Sequence, residues 1–294
     1  MTTRRDEAVG AATQFGTELS INFGSSLAGI AIPFVGTPIV VAARQVVMLI
    51  MVLPVSRPRF RSLTWRTLWP ALALGLSLVV MNAAFYESVH LLGLGIAATI
   101  EFLGPFSVAL FTSRRLLDVL CAIAVGAGVV MLTGLEGQIN VPGVLLALAA
   151  AASWAAYILL TRRVALSLPG LQGLSIAGIV SLVLLVPLAA LTLQDAQWSW
   201  GIVGLLALIG VLSSGLPYSL DAFILRRISP RLYSIVTSFG PVTAALFGWL
   251  VLRENFTPLQ VTAIVLVCVA ACTAIATQRP RKKSRLEETG EIFP

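Results

Sequence analysis

Long apolar stretches separated by short polar connections run along almost the whole chain of 294 residues. A stretch of about 20 apolar residues is the length that an α-helix needs to cross a hydrocarbon layer of roughly 30 Å. The pattern predicts ten membrane-spanning helices, of which the first is weakened by Gln14, Glu18 and Asn22. The predicted spans are 13–32, 38–55, 68–90, 95–113, 117–134, 142–160, 171–191, 201–222, 231–252 and 258–277. Because the connections are short, no additional soluble domain is expected.

The fourth and ninth predicted spans carry the same pattern of residues. Gly-Pro-Phe-Ser-Val-Ala-Leu-Phe at 104–111 returns as Gly-Pro-Val-Thr-Ala-Ala-Leu-Phe at 240–247, an offset of 136 residues. Duplicated hydrophobic halves are common in secondary transporters. The pattern therefore predicts one five-helix repeat in residues 1–134, a second in residues 142–277, and a basic tail in residues 278–294.

The placement of basic residues tests the number of spans independently, because cytoplasmic loops retain an excess of Lys and Arg. All of the 20 basic residues except Arg44 and Arg253 fall in alternate connections or at the two termini. Both termini and the tail are therefore predicted to be cytoplasmic. Five helices are an odd number, so the second repeat must enter the membrane in the opposite direction. The predicted fold is an all-α integral membrane protein made of two inverted five-helix repeats.

Composition restricts the class of protein further. Hydrophobic residues make up 57% of the chain and charged residues 11%, and the mean hydropathy is +0.93. Such a chain has too little polar surface for a soluble globule of this length, so its environment is predicted to be a lipid bilayer. The net charge of +7 would suit a nucleic-acid partner, but no soluble basic domain can be separated from the spans. No nucleic-acid partner is expected.

Several short strings within the spans are more specific than hydropathy. They are Met81-Asn82 before Phe85-Tyr86, Glu101-Phe102 before Gly104-Pro105, Trp154-Ala-Ala-Tyr157, Leu216-Pro-Tyr218-Ser-Leu-Asp221, and Glu254 before Thr257-Pro258. With these strings the chain resembles the ten-helix EamA-type branch of the drug/metabolite transporter superfamily, and within it the bacterial exporters of threonine and homoserine. The resemblance implies a plasma (inner) membrane protein, without enzymatic activity, that exports small amino acids.

Two charged residues inside the spans are the strongest candidates for a substrate site. Arg44 and Glu101 each lie about six residues from the same predicted membrane face, roughly 9 Å deep at 1.5 Å per residue. A charge at this depth is costly unless it is paired or hydrated. The functional interpretation is a clamp for a zwitterion, with Arg44 facing the carboxylate and Glu101 the ammonium group, or with Glu101 accepting a coupling proton. The alternative is a structural ion pair between the two residues.

Polar side chains on other spans complete the predicted site. Asn82, Tyr86 and His90 follow one another at intervals of four residues, which places them on one face of the third span. Tyr218 stands at the repeat position equivalent to Asn82, and Tyr157 lies in the sixth span. Asn82, Tyr86, Tyr157 and Tyr218 are predicted to bind substrate, although hydrogen bonding between helices and packing are the alternatives. Glu18 and Asn22 share a face of the first span with Ser25 and Gly29, and indicate a second polar wall.

Pro105 and Pro241 lie inside the fourth and ninth spans. An internal proline removes a backbone donor and obstructs the preceding turn, so both helices are predicted to be kinked there. The freed backbone groups must then find partners inside the bundle.

Other classes of function lack the residues that they need. Lysine occurs only at 282 and 283, so no phosphate-binding loop for ATP exists, and a proton is the candidate coupling ion. The three cysteines all lie in spans and the chain has one histidine, so neither a metal site nor a cofactor is expected. Two alternatives stay open. One is export of other metabolites, drugs or nucleotide sugars, and the other is a membrane enzyme that uses Glu87, His90 and Glu101 as acid and base.

Overall fold

The computed structural model of the protein describes residues 4–56, 64–111, 116–133, 140–168, 171–225, 227–228 and 230–277. These residues form helices joined by short connections. The helices are α1 (Arg4–Val35), α2 (Thr37–Ser56), α3 (Trp65–Leu92), α4 (Leu94–Glu101), α5 (Leu103–Phe111), α6 (Leu116–Thr133), α7 (Val141–Ser167), α8 (Gln172–Thr192), α9 (Trp200–Gly210), α10 (Leu216–Leu225), α11 (Pro230–Thr237), α12 (Gly240–Leu252) and α13 (Pro258–Thr277). A π-helical turn, Val211–Gly215, joins α9 to α10.

The helices correspond to the predicted spans. Eight helical segments are long and apolar enough to cross a membrane, and two shorter apolar helices, 94–108 and 119–132, stand at the fourth and fifth predicted spans. The prediction of an all-helical membrane protein is therefore confirmed. The first helix extends further than predicted, because α1 begins at Arg4 and continues through its polar positions to Val35.

Two of the spans are interrupted. Phe102 separates α4 from α5, and Ser238 and Phe239 separate α11 from α12. The interruptions lie immediately before the two copies of the repeated string. Pro105 and Pro241 therefore occupy the first turns of α5 and α12, where a missing backbone N–H removes no helical hydrogen bond.

Small residues allow the helices to approach one another closely, as is usual inside membranes, where apolar side chains gain little by leaving lipid. A β-carbon added to Gly75 of α3 would lie 2.7 Å from the carbonyl oxygen of Ala177 in α8. One added to Gly178 of α8 would lie 2.7 Å from the side chain of Met48 in α2. The three helices α2, α3 and α8 consequently form one tightly packed wall.

Polar contacts join the helix ends at the two ends of the bundle. At one end, Thr37 of α2 donates a hydrogen bond of 2.6 Å to Glu87 of α3, and Asn140, which caps α7, donates to the carbonyl of Leu91. At the opposite end, the hydroxyl groups of Ser56 and Ser175 lie 2.5 Å apart. Between these ends the interior is mostly apolar, and its buried polar side chains include a group around Arg44 and another along α1.

Candidate functional site

Arg44 of α2 is the centre of the buried polar group, and only 7% of its surface is exposed. Its Nη1 donates a hydrogen bond of 2.7 Å to Oδ1 of Asn82 in α3, and its Nη2 donates one of 2.9 Å to the carbonyl oxygen of Ser213. Both acceptors are uncharged. The buried Nε has no hydrogen-bond partner within the described ranges. The guanidinium group is thus held by two neutral acceptors and keeps one donor free.

Tyr86 of α3 forms the second side of this group. The Arg44 guanidinium lies over the Tyr86 ring, 4.7 Å from its centroid, which is a cation–π contact. The phenol oxygen lies 2.9 Å from the hydroxyl of Ser25 in α1, and Tyr86 is fully buried. Arg44 therefore connects α2 with α3 directly, and with α1 through Tyr86 and Ser25.

The carbonyl that binds Arg44 lies in the π-helical turn, and the residue four positions further on, Pro217, has no N–H to donate to it. In this turn the N–H of Leu216 bonds to the carbonyl of Val211, one residue further back than in an α-helix. Such turns leave backbone carbonyls free for other donors and often occur at functional sites. Two side chains use them, Arg44 at Ser213 and Ser20 of α1, which donates a bond of 2.7 Å to Leu212.

A glycine of α1 permits the π-helical turn to lie close to α1. A β-carbon added to Gly24 would lie 3.0 Å from both the backbone nitrogen and the Cβ of Ser213. A larger residue at position 24 would push the turn away from α1 and would displace the carbonyl that Arg44 binds. The sequence Ser213-Ser-Gly215, three small residues in an otherwise apolar helix, is the signal in the sequence that indicates this close approach.

Glu101 is the last residue of α4 and lies next to the helix interruption at Phe102. It is partly buried, and its charge interacts with that of Arg44. The hydrogen bonds of Arg44 are nevertheless directed to Asn82 and Ser213. The two charged residues predicted to meet are therefore close enough to interact electrostatically, while the direct ligands of the guanidinium are neutral groups.

The predicted second polar wall lies along α1 and faces the interrupted helix α11–α12. Gln14 donates hydrogen bonds to Glu18 at 3.1 Å and to Thr237 at 3.2 Å. One turn beyond Glu18, Asn22 donates a hydrogen bond of 2.8 Å to the hydroxyl of Thr243. The polar positions that weaken the first predicted span are thus buried against the second interrupted helix instead of lipid.

Tyr157 and Tyr218 pack in two apolar clusters. Tyr157 of α7 packs against an apolar cluster that includes Leu74 and Leu78, and Tyr218 of α10 packs against one that includes Met48. Both tyrosines are only partly buried. The structure thus brings Arg44, Asn82 and Tyr86 into one group near Glu101, and places the two remaining tyrosines in separate clusters.

His90 and Glu87 do not extend the polar stripe into the bundle. His90 is exposed at the end of α3, whereas Asn82 and Tyr86 on the same face are buried. Glu87 is partly buried and accepts the bond from Thr37. The side chain of Asp221, which closes one of the specific strings, lies outside the described side chains. Among the residues that the structure describes, no three His, Cys, Asp or Glu side chains are grouped as metal ligands.

A bundle of apolar helices, two of them interrupted, with a buried arginine held by neutral groups, has the architecture of a multi-pass membrane transporter. Comparison with known proteins identifies the family. Residues 141–276 match the EamA-like transporter family. The chain is 35% identical over 273 residues to the threonine/homoserine exporter RhtA of Escherichia coli (strain K12), covering 92% of this chain and 91% of that protein. The chain belongs to this family, within the drug/metabolite transporter superfamily.

Other matches extend this result. The threonine/homoserine exporter RhtA of Salmonella typhimurium (strain SL1344) is 36% identical over 264 residues, covering 88% of this chain and 89% of that protein. A crystal structure with 20% sequence identity and a TM-score of 0.62 covers 91% of this chain and 96% of its own, and so has the same fold. The protein is a multi-pass transporter of the bacterial inner membrane.

Proposed function

We propose that this protein exports small amino acids that resemble threonine or homoserine. The observation that supports this proposal best is the environment of Arg44. Its charge is buried and its ligands are neutral, so the guanidinium can receive a carboxylate without first breaking a direct ion pair. The names of the relatives in Escherichia coli and Salmonella typhimurium support the same class of substrate.

In the proposed complex each end of the zwitterion meets an opposite charge. The substrate carboxylate accepts hydrogen bonds from Arg44, beginning with the free Nε. The ammonium group lies toward Glu101. Asn82 and Tyr86 orient the amino acid by hydrogen bonding, because both already contact the guanidinium.

Transport is proposed to proceed by alternating access between two inverted five-helix repeats, residues 1–134 and 142–277. The spacing of the interruptions supports this arrangement, because Phe102 and Ser238 are separated by the same 136 residues as the repeated strings. Interrupted helices at equivalent positions of two repeats are typical of transporters whose site lies between the repeats. Tyr157 and Tyr218 are proposed to contribute their hydroxyl groups to the substrate site when the helices move.

Both termini and the basic tail, residues 278–294, are proposed to be cytoplasmic, in keeping with the distribution of the arginines. A proton is the proposed coupling ion, since a buried carboxylate such as Glu101 can bind one when the substrate leaves. With this coupling the inward flow of protons would drive the export of the amino acid.

The proposal is tested with purified protein in proteoliposomes that are loaded with single amino acids, with and without a pH gradient. Threonine or homoserine is expected to leave the vesicles faster than from vesicles that contain Arg44→Gln, and faster still with the gradient. Efflux that equals the Arg44→Gln control for every amino acid, from protein with normal thermal unfolding, would contradict the proposal. Transport of drugs or nucleotide sugars instead would assign the protein to the alternative substrates, and chemical conversion of a metabolite would make it an enzyme.

A further inference from the structure

The connection between α12 and α13 places a carboxylate on the first turn of α4. Oε1 of Glu254 accepts a hydrogen bond of 2.5 Å from the backbone N–H of Leu94, and Oε2 accepts one of 3.2 Å from that of Gly95. The first N–H groups of a helix have no partner within the helix, and the positive end of the helix dipole favours a negative charge there. A side chain from near the end of the sequence therefore caps a helix of the first half.

The backbone around this contact fits the carboxylate closely. A β-carbon at Gly93 would lie 2.9 Å from Cδ of Glu254, and one at Gly248 would lie 2.8 Å from the same atom. Gly93 has φ of 86°, in the region that favours glycine. Arg253 is left-handed with φ of 59°, and this turn directs the next residue, Glu254, back toward the bundle. The site for the carboxylate is thus formed by three backbone segments.

The contact joins parts of the molecule that alternating access requires to separate. α4 carries Glu101 at its other end, seven residues or about 10 Å from Leu94. The carboxylate is carried by the connection between two helices of the second proposed repeat. Because the contact bridges the two repeats at one end of the bundle, it must break if they move apart there.

We propose that Glu254 is a latch that holds the two proposed repeats together at this end of the bundle and releases α4 each time the end opens. The inference rests on the proposed alternating-access function. Glu254 does not touch the substrate in this proposal. It is a positioning residue that acts through α4, whose far end carries Glu101.

Burial raises the pKa of Glu254 above its ordinary value, although the N–H groups of Leu94 and Gly95 act in the opposite direction. The other charged or titratable groups described at this end of the bundle are Arg253 and His90, which are exposed, and Glu87, which accepts the bond from Thr37. The released carboxylate is in water and has the lower pKa. The latched state therefore binds a proton more tightly and is favoured at low pH. This advantage is lost as the pH rises through the raised pKa.

The latch is tested by the reactivity of a cysteine at Ala98, one turn inside the cap, after Cys121, Cys268 and Cys272 are replaced by alanine. A membrane-impermeant maleimide is applied to sealed cells and to inside-out vesicles, so the result does not depend on the orientation of the protein. Glu254→Ala is expected to increase the labelling rate by about tenfold, as the loss of the hydrogen bonds to Leu94 and Gly95 predicts. Each rate is divided by the rate of the same maleimide with a free small thiol at that pH, because the thiolate fraction and with it the reaction rate rise with pH. The corrected rate with Glu254 present should increase as the pH rises, and the corrected rate with Glu254→Ala should not change.

Two further variants separate a latch from a passive cap. Glu254→Gln keeps an acceptor oxygen without the charge, so it should label slowly at every pH. Glu87→Gln removes a carboxylate at the same end of the bundle and should leave both the rate and its pH dependence unchanged. A normal thermal unfolding temperature is required of each variant, and if Glu254→Ala does not fold, the pH dependence of Glu254→Gln decides alone.

Labelling of Glu254→Ala at the rate of the parent, or a pH dependence of the corrected rate that survives in Glu254→Gln, would overturn the latch. The proposed function fails separately, because labelling needs no substrate. A latch that responds as expected in a protein that transports no amino acid would overturn the substrate assignment alone. Normal amino-acid export with unchanged labelling would overturn the latch alone.

Discussion

The guanidinium of Arg44 lies 4.7 Å from the centroid of the Tyr86 ring, while its hydrogen bonds go to Asn82 and to the carbonyl of Ser213. None of these partners carries a negative charge. An arginine within a membrane protein normally lies near an acid or water, because a charge there is costly. This environment of Arg44 is the physical basis of the proposed carboxylate site.

The first prediction concerns the shape of the cation. Arg44→Lys keeps the positive charge but loses the planar fork that binds Asn82 and Ser213 at the same time. Amino-acid efflux should fall by about tenfold or more, equivalent to about 1.4 kcal/mol of lost binding. Arg253→Lys changes an exposed arginine in the same way and should leave efflux unchanged. Equal efflux from the two variants in proteoliposomes would argue against a bidentate role for Arg44.

The second prediction concerns the hydrogen bond between Tyr86 and Ser25. Tyr86→Phe keeps the ring under Arg44 and removes only the hydroxyl, so the variant should lose about 1 kcal/mol of stability. Ser25→Ala should lose a similar amount, and the double variant little more than either, because both remove one bond. Thermal unfolding in detergent measures the three values. Additive losses would show that the 2.9 Å contact does not contribute.

The third prediction separates a substrate clamp from a structural ion pair. Glu101→Gln keeps the shape of the side chain and removes its charge, so efflux should fall about tenfold or more while the unfolding temperature stays near that of the parent. Parallel losses of efflux and stability would support the structural ion pair. The charge-exchanged protein, Arg44→Glu with Glu101→Arg, should remain inactive, because its charges no longer match the ends of the zwitterion.

The fourth prediction compares two glycines of α1. Gly24→Ala introduces a β-carbon 3.0 Å from Ser213 and should cost about 1 to 3 kcal/mol, the range for overpacking. Gly16 has no atom within 4 Å of an added β-carbon, so Gly16→Ala should be neutral or slightly stabilising. Unfolding temperatures of the two variants, measured in one detergent, give the comparison. Equal temperatures would show that the π-helical turn can withdraw from α1 at no cost.

The fifth prediction concerns orientation in the membrane. A cysteine at Ser284, in the basic tail, should react with an impermeant reagent only from the cytoplasmic side. A cysteine at Asn255, exposed between α12 and α13, should react only from outside. Both are measured in sealed cells and inverted vesicles, with the native cysteines replaced. Labelling of Ser284→Cys from outside intact cells would overturn the proposed topology and the inverted repeats.

The helices could be predicted from hydropathy because each span must satisfy its own backbone within the membrane. The positions of the helix interruptions are harder to predict from the sequence. Pro105 and Pro241 indicate where regular helix is costly, but the chain resolves the conflict by ending one helix and beginning another before each proline. Whether a helix bends or breaks depends on which neighbouring helices form hydrogen bonds with the freed backbone groups. The sequence of a single span does not show which helices these are.

The candidate site was predictable where it depends on periodicity within one helix. Asn82 and Tyr86 share a buried face as their spacing predicts, but His90, one turn further, reaches the surface because the helix ends there. Pro217 shows in the sequence that the Ser213 carbonyl lacks its helical donor, but that Arg44 of another span supplies the replacement depends on which helices pack together. The positions of Tyr157 and Tyr218 also depend on which helices pack together, and the pattern within a single span does not show this.

The π-helical turn adds one residue to a helix without adding a turn. Each residue of an α-helix advances about 100° around the axis. In a continuous α-helix of the same sequence, the side chains of α10 would therefore point about 100° away from their present directions relative to α9. Deletion of one residue between Val211 and Gly215 would restore a regular helix of the same hydropathy and would still insert. Because the extra residue is accommodated within the turn, Tyr218 and its neighbours would keep their present contacts, and the deletion would instead remove the free carbonyl of Leu212 to which Ser20 donates.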